Sequence, residues 1–396
     1  MSNEQTTKKQ TTSTDRNIGE LLVIPQLKAH RTASGNLVLT EKFLEGMRAY
    51  AERWPGKVTA MVRINQEPDN NLNHMEVVPG CFPFNVEAVP ADKAKLILRM
   101  RQAGIVLGGT LGINGIRQVT VKEYGFLTRW QITAAGAPSL LRKWKRLLSA
   151  TASELKWKCA ARRLAGIQCN GVPAYNNCKR LNSNVMLFFD SRIEAGDLSQ
   201  EENQQQRIER LLTGTTLHLA FTGRLLKIKG VDHLPIIAAE LRRLGINFEM
   251  SICGGGECEQ QLARDIEKEA LADQIHLRGA LKYREELLPF VRENVDLFVC
   301  THVQGDPACT YLETMGCGVP IVGYANEAWE GMAPISRAGW VTPLNAPELL
   351  AAKIAELDRN RPALVEASKA ARAFAEQHLF EHTMDKRVAH LLSCVK

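Results

Sequence analysis

Two cations and two carboxylates stand out by type and by spacing. Arg224 and Lys229 follow the apolar run Leu217–Thr222, with Gly223 before the arginine and Gly230 after the lysine. The run reads as a buried strand entering a loop, which puts both cations at the strand's C-terminal edge. Fixed cations there can neutralise a diphosphate and stabilise negative charge developing on it as it leaves. The carboxylates Asp306 and Glu313 lie in the stretch from Gly305 to Val322, which reads as loop, short helix, turn and buried strand. Asp306 suits the N-cap and Pro307 the first helical position, while Gly316, Gly318 and Pro320 end the helix. So placed, the helix would aim the backbone N–H groups of Ala308, Cys309 and Thr310 at an anion such as phosphate. Glu313, about two turns into that helix, could accept hydrogen bonds from sugar hydroxyls; an ordinary capped helix with one exposed Glu would look the same.

These residues need a parallel sheet to hold them. After Leu217–Thr222 comes a helix over about 231–245, then the strand Phe248–Cys253 with Gly254, Gly255 and Gly256 at its end. A glycine triplet at a strand end permits close ligand approach, although the G-x-G-x-x-G dinucleotide spacing fails. Further strands fall at Ile275–Gly279, Asp296–Thr301 and Pro320–Tyr324, with helices between. Such alternation predicts a Rossmann-like domain over 215–378. The first half opens with a strand over 20–25, a loop holding Ser34-Gly35-Asn36, a helix over about 37–54 and a strand over 57–64. One strand is expected within 77–89, a helix over 92–103 and a strand with a Gly-rich end over 104–109. The expected organisation is a disordered tail 1–17, a first Rossmann-like domain 18–190, a connection 191–214, the second domain 215–378, and a helix 379–396 that crosses back to the first domain.

The run through Glu313 and Cys317-Gly318-Val319-Pro320 resembles the donor-binding segment of the retaining glycosyltransferases of family four, the glycosyl transferases group 1. That resemblance implies the GT-B fold, α/β, with two Rossmann-like doubly wound parallel-sheet domains facing across a cleft. It covers the chain well from about Leu217 onward and agrees only in element order before that. Glu313 matches the family's second acid, which holds the nucleotide ribose. The first acid should fall at position 305, where this chain has Gly305, and Asp306 is the nearest substitute. The family's Arg and Lys map onto Arg224 and Lys229. Gly35 occupies the place of a Gly-containing loop that approaches the donor phosphates, and Leu277 and Arg278 fall where backbone receives the nucleobase. The resemblance implies transfer of a sugar from a nucleoside-diphosphate sugar to an acceptor hydroxyl, with retention, in surface polysaccharide or glycolipid biosynthesis. No DxD-type metal motif stands at a strand end, so metal-independent catalysis without another cofactor is expected. Competing readings are a non-catalytic nucleotide-sugar binder on the same fold, for which Gly305 speaks, and a nucleotide-sugar epimerase. No first-domain histidine is assignable; His30 and His74 fall in expected loops.

Composition narrows the partners. The chain has 396 residues and a net charge of +7. That charge permits a polyanionic substrate, a membrane surface or nucleic acid, but no zinc-finger spacing, RNA-binding aromatic signature or long basic block supports the last. A helical stretch over 140–165 carries Arg142, Lys143, Lys145, Arg146, Lys156, Lys158, Arg162 and Arg163, with Trp144 and Trp157 interleaved. It suits a peripheral membrane contact or an anionic, lipid-linked carbohydrate acceptor, and equally two amphipathic helices with solvated faces. Ten scattered cysteines without C-x-x-C pairs read as reduced and semi-buried in a cytoplasmic protein, and the basic stretch leaves peripheral contact at the inner membrane face open.

Overall fold

The computed structural model describes residues 18–395 except 33, 66–73, 79, 110–111, 127 and 131–139. The expectation of a disordered tail lies outside these residues. The chain divides into two compact units: Met1–Gly109 with Ile113–Arg117 and Leu392–Lys396, and Thr110–Gly112 with Gln118–Leu391.

In the first unit, β1 (Leu21–Ile24) lies between β4 (Val58–Asn65) and β7 (Ile105–Gly108), parallel to both. β6 (Asn85–Ala88) also runs parallel to β4. The expected helix from residue 37 starts later: Leu37–Thr40 is β3, and the helix is Glu41–Arg53. β3 pairs antiparallel with β2 (Lys28–Arg31) and with β5 (His74–Val77), while β2 continues the sheet from the end of β4. The β-branched, apolar Leu37-Val38-Leu39-Thr40 suits a strand as well as a helix entry, and pairing decided between them. His30 and His74 therefore lie in strands, not loops, with their rings edge to face at 5.6 Å. The span 77–89 holds the end of β5 and the separate β6 rather than one strand. The helix Lys93–Gln102 begins where the sequence indicates, with the Asp92 side chain accepting from the Ala94 N–H at 2.6 Å.

The second unit contains two parallel sheets. β8 (Gln118–Lys122), β9 (Gly166–Asn170) and β10 (Val185–Phe188) pair in sequence. The long basic helix Leu140–Ala161 precedes β9. Arg387 of the terminal helix Phe380–Val395 donates to Gln168 Oε1 of β9 at 2.9 Å. The larger sheet takes β11 (Leu217–Thr222), β12 (Phe248–Cys253), β13 (Ile275–Gly279), β14 (Leu297–Cys300), β15 (Ile321–Tyr324) and β16 (Gly339–Thr342) in the order β13-β12-β11-β14-β15-β16. All its pairs are parallel. Alternate residues face opposite layers, as strand geometry requires: Leu217, Leu219 and Phe221 enter one core with Leu234 and Leu350, and Ala220 the other with Phe298 and Trp329. Both faces are covered, which accounts for nearly unbroken apolar strands.

Candidate donor site

The strand order reverses between β11 and β14, each of which opens at its C-terminal end into a loop. In doubly wound sheets the crevice outside such a reversal is where ligands bind. The loop after β11 carries Gly223, Arg224 and Lys229, and the loop after β14 carries Gly305 to Cys309. The structure brings Lys229 and Asp306 together: Lys229 Nζ lies 3.0 Å from Asp306 Oδ2. Lys229 is buried, with its side chain 8% exposed, and it reaches this point from a single 3-10 turn closed by Gly230. Thr301 Oγ1 donates to the Lys229 carbonyl at 2.9 Å, pinning one loop to the other. Arg224 is exposed at the start of the same loop.

The glycines lace the strand ends. Gly223 N–H donates to the Cys253 carbonyl at 3.0 Å, Leu225 N–H to the Gly255 carbonyl at 3.0 Å, and Gly254 N–H to the Gly279 carbonyl at 2.7 Å. Gly254 has φ +151° and a Cβ there would run into the Gly223 carbonyl oxygen. Here glycine is required by backbone meeting backbone. Gly35 lies in the other unit, in the β2–β3 turn at φ +88°, with its N–H donating to Thr32 and its carbonyl accepting from Arg31. The expectation of a loop leading into a helix fails there, because strand pairing turns the chain back.

The helix after β14 corrects the sequence reading. It spans Thr310–Gly316, and its N-cap is Cys309, not Asp306. Ala308 N–H donates to the Asp306 carbonyl at 2.8 Å, so it is not a free group aimed at an anion. Cys309 points its thiol to Asp190 Oδ2 at 3.3 Å. Asp306 stands three residues before the N-cap position, with its Oδ2 on Lys229. Glu313 is half-buried. Burial and the nearby Glu313 carboxylate both push the Tyr283 phenol well above its usual range.

Beyond β13 lies a cavity of about 510 Å³ lined by His276, Leu277, Arg278, Leu281, Glu286 and Phe290. Arg278 is set into its wall: Nε donates to Ser251 Oγ at 2.9 Å, and the guanidinium lies 4.6 Å from the Phe290 ring centroid. Both predicted base-region residues line it. Phe290 and Glu286 were not singled out from sequence, since helical residues far from a motif carry no local signal.

Other residues near the site also escaped the sequence reading. The strand β8 was not anticipated, so the segment after it, Glu123 to Trp130, was overlooked. Burial pushes the Tyr124 phenol up to about 12, with Asp306 and Glu123 adding to the rise and Arg224 opposing it. Tyr124 is thus within electrostatic reach of both Asp306 and Arg224. Thr128 is fully buried and donates to Glu327 Oε2 at 2.6 Å. Residues 326–331 were expected to be a loop; they open the helix Glu327–Ser336, capped by the Asn326 side chain, which accepts from Ala328 N–H and Trp329 N–H. Asn before Glu-Ala is a legible cap signal, masked by Pro334 inside the helix. Among the described residues no cluster of three or more His, Cys, Asp or Glu could hold a metal. Most cysteines are buried or half-buried, as expected, but Cys81 and Cys159 are exposed.

Comparison with solved structures defines the class. The fold is that of the GT-B glycosyltransferases: WaaG, a glycosyltransferase involved in lipopolysaccharide biosynthesis, matches at TM-score 0.62 and 13% identity over 94% of this chain and 99% of that one. Anabaena Alr3699/HepE, solved with UDP-glucose, matches at TM-score 0.62 and 14% identity over 95% and 99%. Sucrose-phosphate synthase from Thermosynechococcus elongatus matches at TM-score 0.64 and 12% identity over 94% and 98%. Sequence adds a family match: residues 202–374 match the model of the glycosyl transferases group 1. The putative colanic acid biosynthesis glycosyltransferase WcaL of Salmonella typhimurium is 26% identical over 190 residues, 46% of each chain. The amylovoran biosynthesis glycosyltransferase AmsK of Erwinia amylovora is 28% identical over 182 residues, 44% of each. The matches thus span less than half of these curated relatives.

Proposed function

We propose that this chain is a retaining glycosyltransferase that moves a sugar from a nucleoside-diphosphate sugar to an acceptor hydroxyl in the building of a surface polysaccharide or glycolipid. The observation that carries this reading is the pairing of buried Lys229 with Asp306 beside exposed Arg224, at the reversal of strand order. An ammonium has three donors; one goes to Asp306, leaving two for a diphosphate. Arg224 adds a planar guanidinium suited to phosphate oxygens. Together they stabilise charge on the departing nucleoside diphosphate, so the reading needs no metal. Asp306 orients the transferred sugar, Glu313 the ribose, and the Leu277–Arg278 cavity takes the base. Because no protein nucleophile is assigned, the acceptor attacks from the leaving-group face and the leaving phosphate takes its proton. HepE was solved with UDP-glucose, which makes uridine the first base to try.

The acceptor side of this reading rests on the basic helix. On Leu140–Ala161, Trp144, Leu148 and Leu155 are 65%, 70% and 61% exposed and recur at helical spacing on one face. Exposed Arg142, Lys145, Arg146, Lys156 and Lys158 flank them, and the helix's one acid, Glu154, is buried against Lys122 at 3.2 Å. An apolar stripe between cations suits an anionic bilayer surface, and with it a lipid-linked acceptor. No helix among the described residues is long and apolar enough to cross a membrane. Vesicles containing phosphatidylglycerol should sediment the protein and phosphatidylcholine vesicles should not; equal behaviour of Trp144→Ser/Leu148→Ser and wild type would remove the membrane from the reading.

The test of the donor reading is a thermal-shift screen of nucleoside diphosphates and nucleotide sugars. A ligand at about 100 times its Kd should stabilise the native protein by about 2.7 kcal/mol. Stabilisation by one base, lost in Arg224→Ala, supports transfer from that nucleotide. Stabilisation without turnover on any acceptor favours a non-catalytic binder, and no response to any nucleotide sinks the donor site.

A further inference from the structure

The place where the family's first acid would stand is not vacant. A Cβ built at Gly305 would lie 2.7 Å from Thr128 Oγ1, 2.9 Å from Glu327 Cβ and 3.1 Å from Glu327 N. Those are distances a side chain cannot occupy without moving its neighbours. The same Thr128 hydroxyl donates to Glu327 Oε2 at 2.6 Å and lies 3.3 Å from the Gly305 carbonyl. Gly125 is equally confined, since a Cβ there would lie 3.0 Å from Glu327 Oε2. A carboxylate thus stands between two glycines and a fully buried hydroxyl, joining the segment after β8 to the turn that presents Asp306.

Glu327 is itself rigidly held. It is the first residue of its helix, and the preceding Asn326 caps that helix while donating to the His302 carbonyl at 3.1 Å and the Tyr311 hydroxyl at 3.2 Å. His302 follows the end of β14 and Tyr311 belongs to the Thr310–Gly316 helix, so Asn326 fixes Glu327 to both sides of the donor loop. The helix also packs closely on the one that follows β9, with a Cβ at Gly331 falling 2.8 Å from Val172 Cβ. A carboxylate in the first turn is favoured by the helix dipole as well.

We infer that Thr128 and Glu327 form a clasp that positions the segment Glu123–Trp130 against the Gly305–Asp306 turn and thereby sets the geometry for sugar transfer. Glu327 is a positioning residue, and Gly305 is the condition for the clasp to close rather than a lost acid. What the clasp presents is Tyr124, whose phenol shares an electrostatic environment with Asp306 and Arg224. The inference rests on the donor-site reading, because Asp306 matters to transfer only if the sugar lies there.

The test compares Thr128→Val, Thr128→Ser and Glu327→Ala in the full chain, with three readouts. Amide hydrogen exchange follows residues 123–130, titration with UDP and GDP gives Kd, and nucleoside-diphosphate release from UDP-glucose, UDP-galactose, UDP-N-acetylglucosamine and GDP-mannose gives kcat. Thr128→Val and Glu327→Ala should speed exchange in the segment and lower kcat by about tenfold, the scale of one charge-assisted hydrogen bond, with Kd unchanged. Thr128→Ser keeps the donor and should restore most of kcat. Gly305→Ala should copy the defect of Thr128→Val. Wild-type exchange in Thr128→Val and Glu327→Ala overturns the clasp, and so does a kcat loss matched by an equal rise in Kd. If the wild type binds neither nucleotide, the donor reading has failed, and the exchange readout alone still decides whether the clasp exists.

Discussion

The six-stranded sheet of the second unit and the sheet of the first use similar parallel strands to different ends. In the second unit every neighbour is parallel, so all strand C-termini open on one edge and their loops converge. Lys229 and Asp306, separated widely in sequence, meet there at 3.0 Å. In the first unit the parallel run β7-β1-β4-β2 gives way to β3, which pairs antiparallel with both β2 and β5. Its turn side chains bind a neighbouring strand: Thr32 and Ser34 donate to Glu76 Oε1 of β5 at 3.2 and 3.0 Å. Bonds from Asn36, Ser34 and Thr32 hold the Glu76 carboxyl below its usual range. Converging parallel loops bring charged side chains together at a strand edge, whereas the hairpin turn spends its hydroxyls on the strand paired beside it.

Four substitutions probe this contrast. Lys229→Ala should have the largest effect, removing a preorganised cation and lowering turnover by about 10²–10³-fold in a release assay. Comparable activity in Lys229→Ala would break the claim that the converging loops are the donor site. Next is Arg207→Ala, at the scaffold of the same sheet. Buried Arg207 donates to the carbonyls of Val295 at 2.9 Å, Gly318 at 3.1 Å and Arg292 at 2.6 Å, tying the end of the donor helix to the entry of β14. Its loss strands those carbonyls and should cost about 3–5 kcal/mol in urea unfolding. Gly35→Ala should cost only about 1–2 kcal/mol, the penalty of a positive φ with open space around it, and should leave nucleotide affinity unchanged. A large rise in nucleotide Kd in Gly35→Ala would place Gly35 at the donor site and erase the difference between the two units.

The smallest effect concerns pH. Burial, with Lys386 nearby, lowers His378 to about 4 from its usual value near 6.5. The unfolded chain therefore binds more protons between these values, and stability falls as pH drops from about 6.5 towards 4. His378 packs against Phe374 and Phe189 with ring centroids 4.5 and 5.0 Å apart. His378→Phe should flatten that acid slope in thermal melts at pH 7 and pH 5; an unchanged slope would place the acid sensitivity elsewhere, with buried His302 the next candidate.

The alternation of apolar strands and helices after Leu217 was enough to fix a parallel sheet, because both faces of such a sheet are buried and its strands read as continuous apolar runs. Gly223, Arg224 and Lys229 were legible for the same reason, since their chemistry follows directly from a strand end. Tertiary structure decided what depended on partners: Leu37–Thr40 became a strand by pairing with β2 and β5, and Asp306 went to Lys229 while the helix started at Thr310. The fate of position 305 was decided there as well. Sequence alone shows a missing acid, while packing shows Thr128 and Glu327 filling its place, contributed from chain segments on either side and far away in number. Local pattern carries periodicity and chain direction; it carries nothing about which distant side chain will claim a given volume.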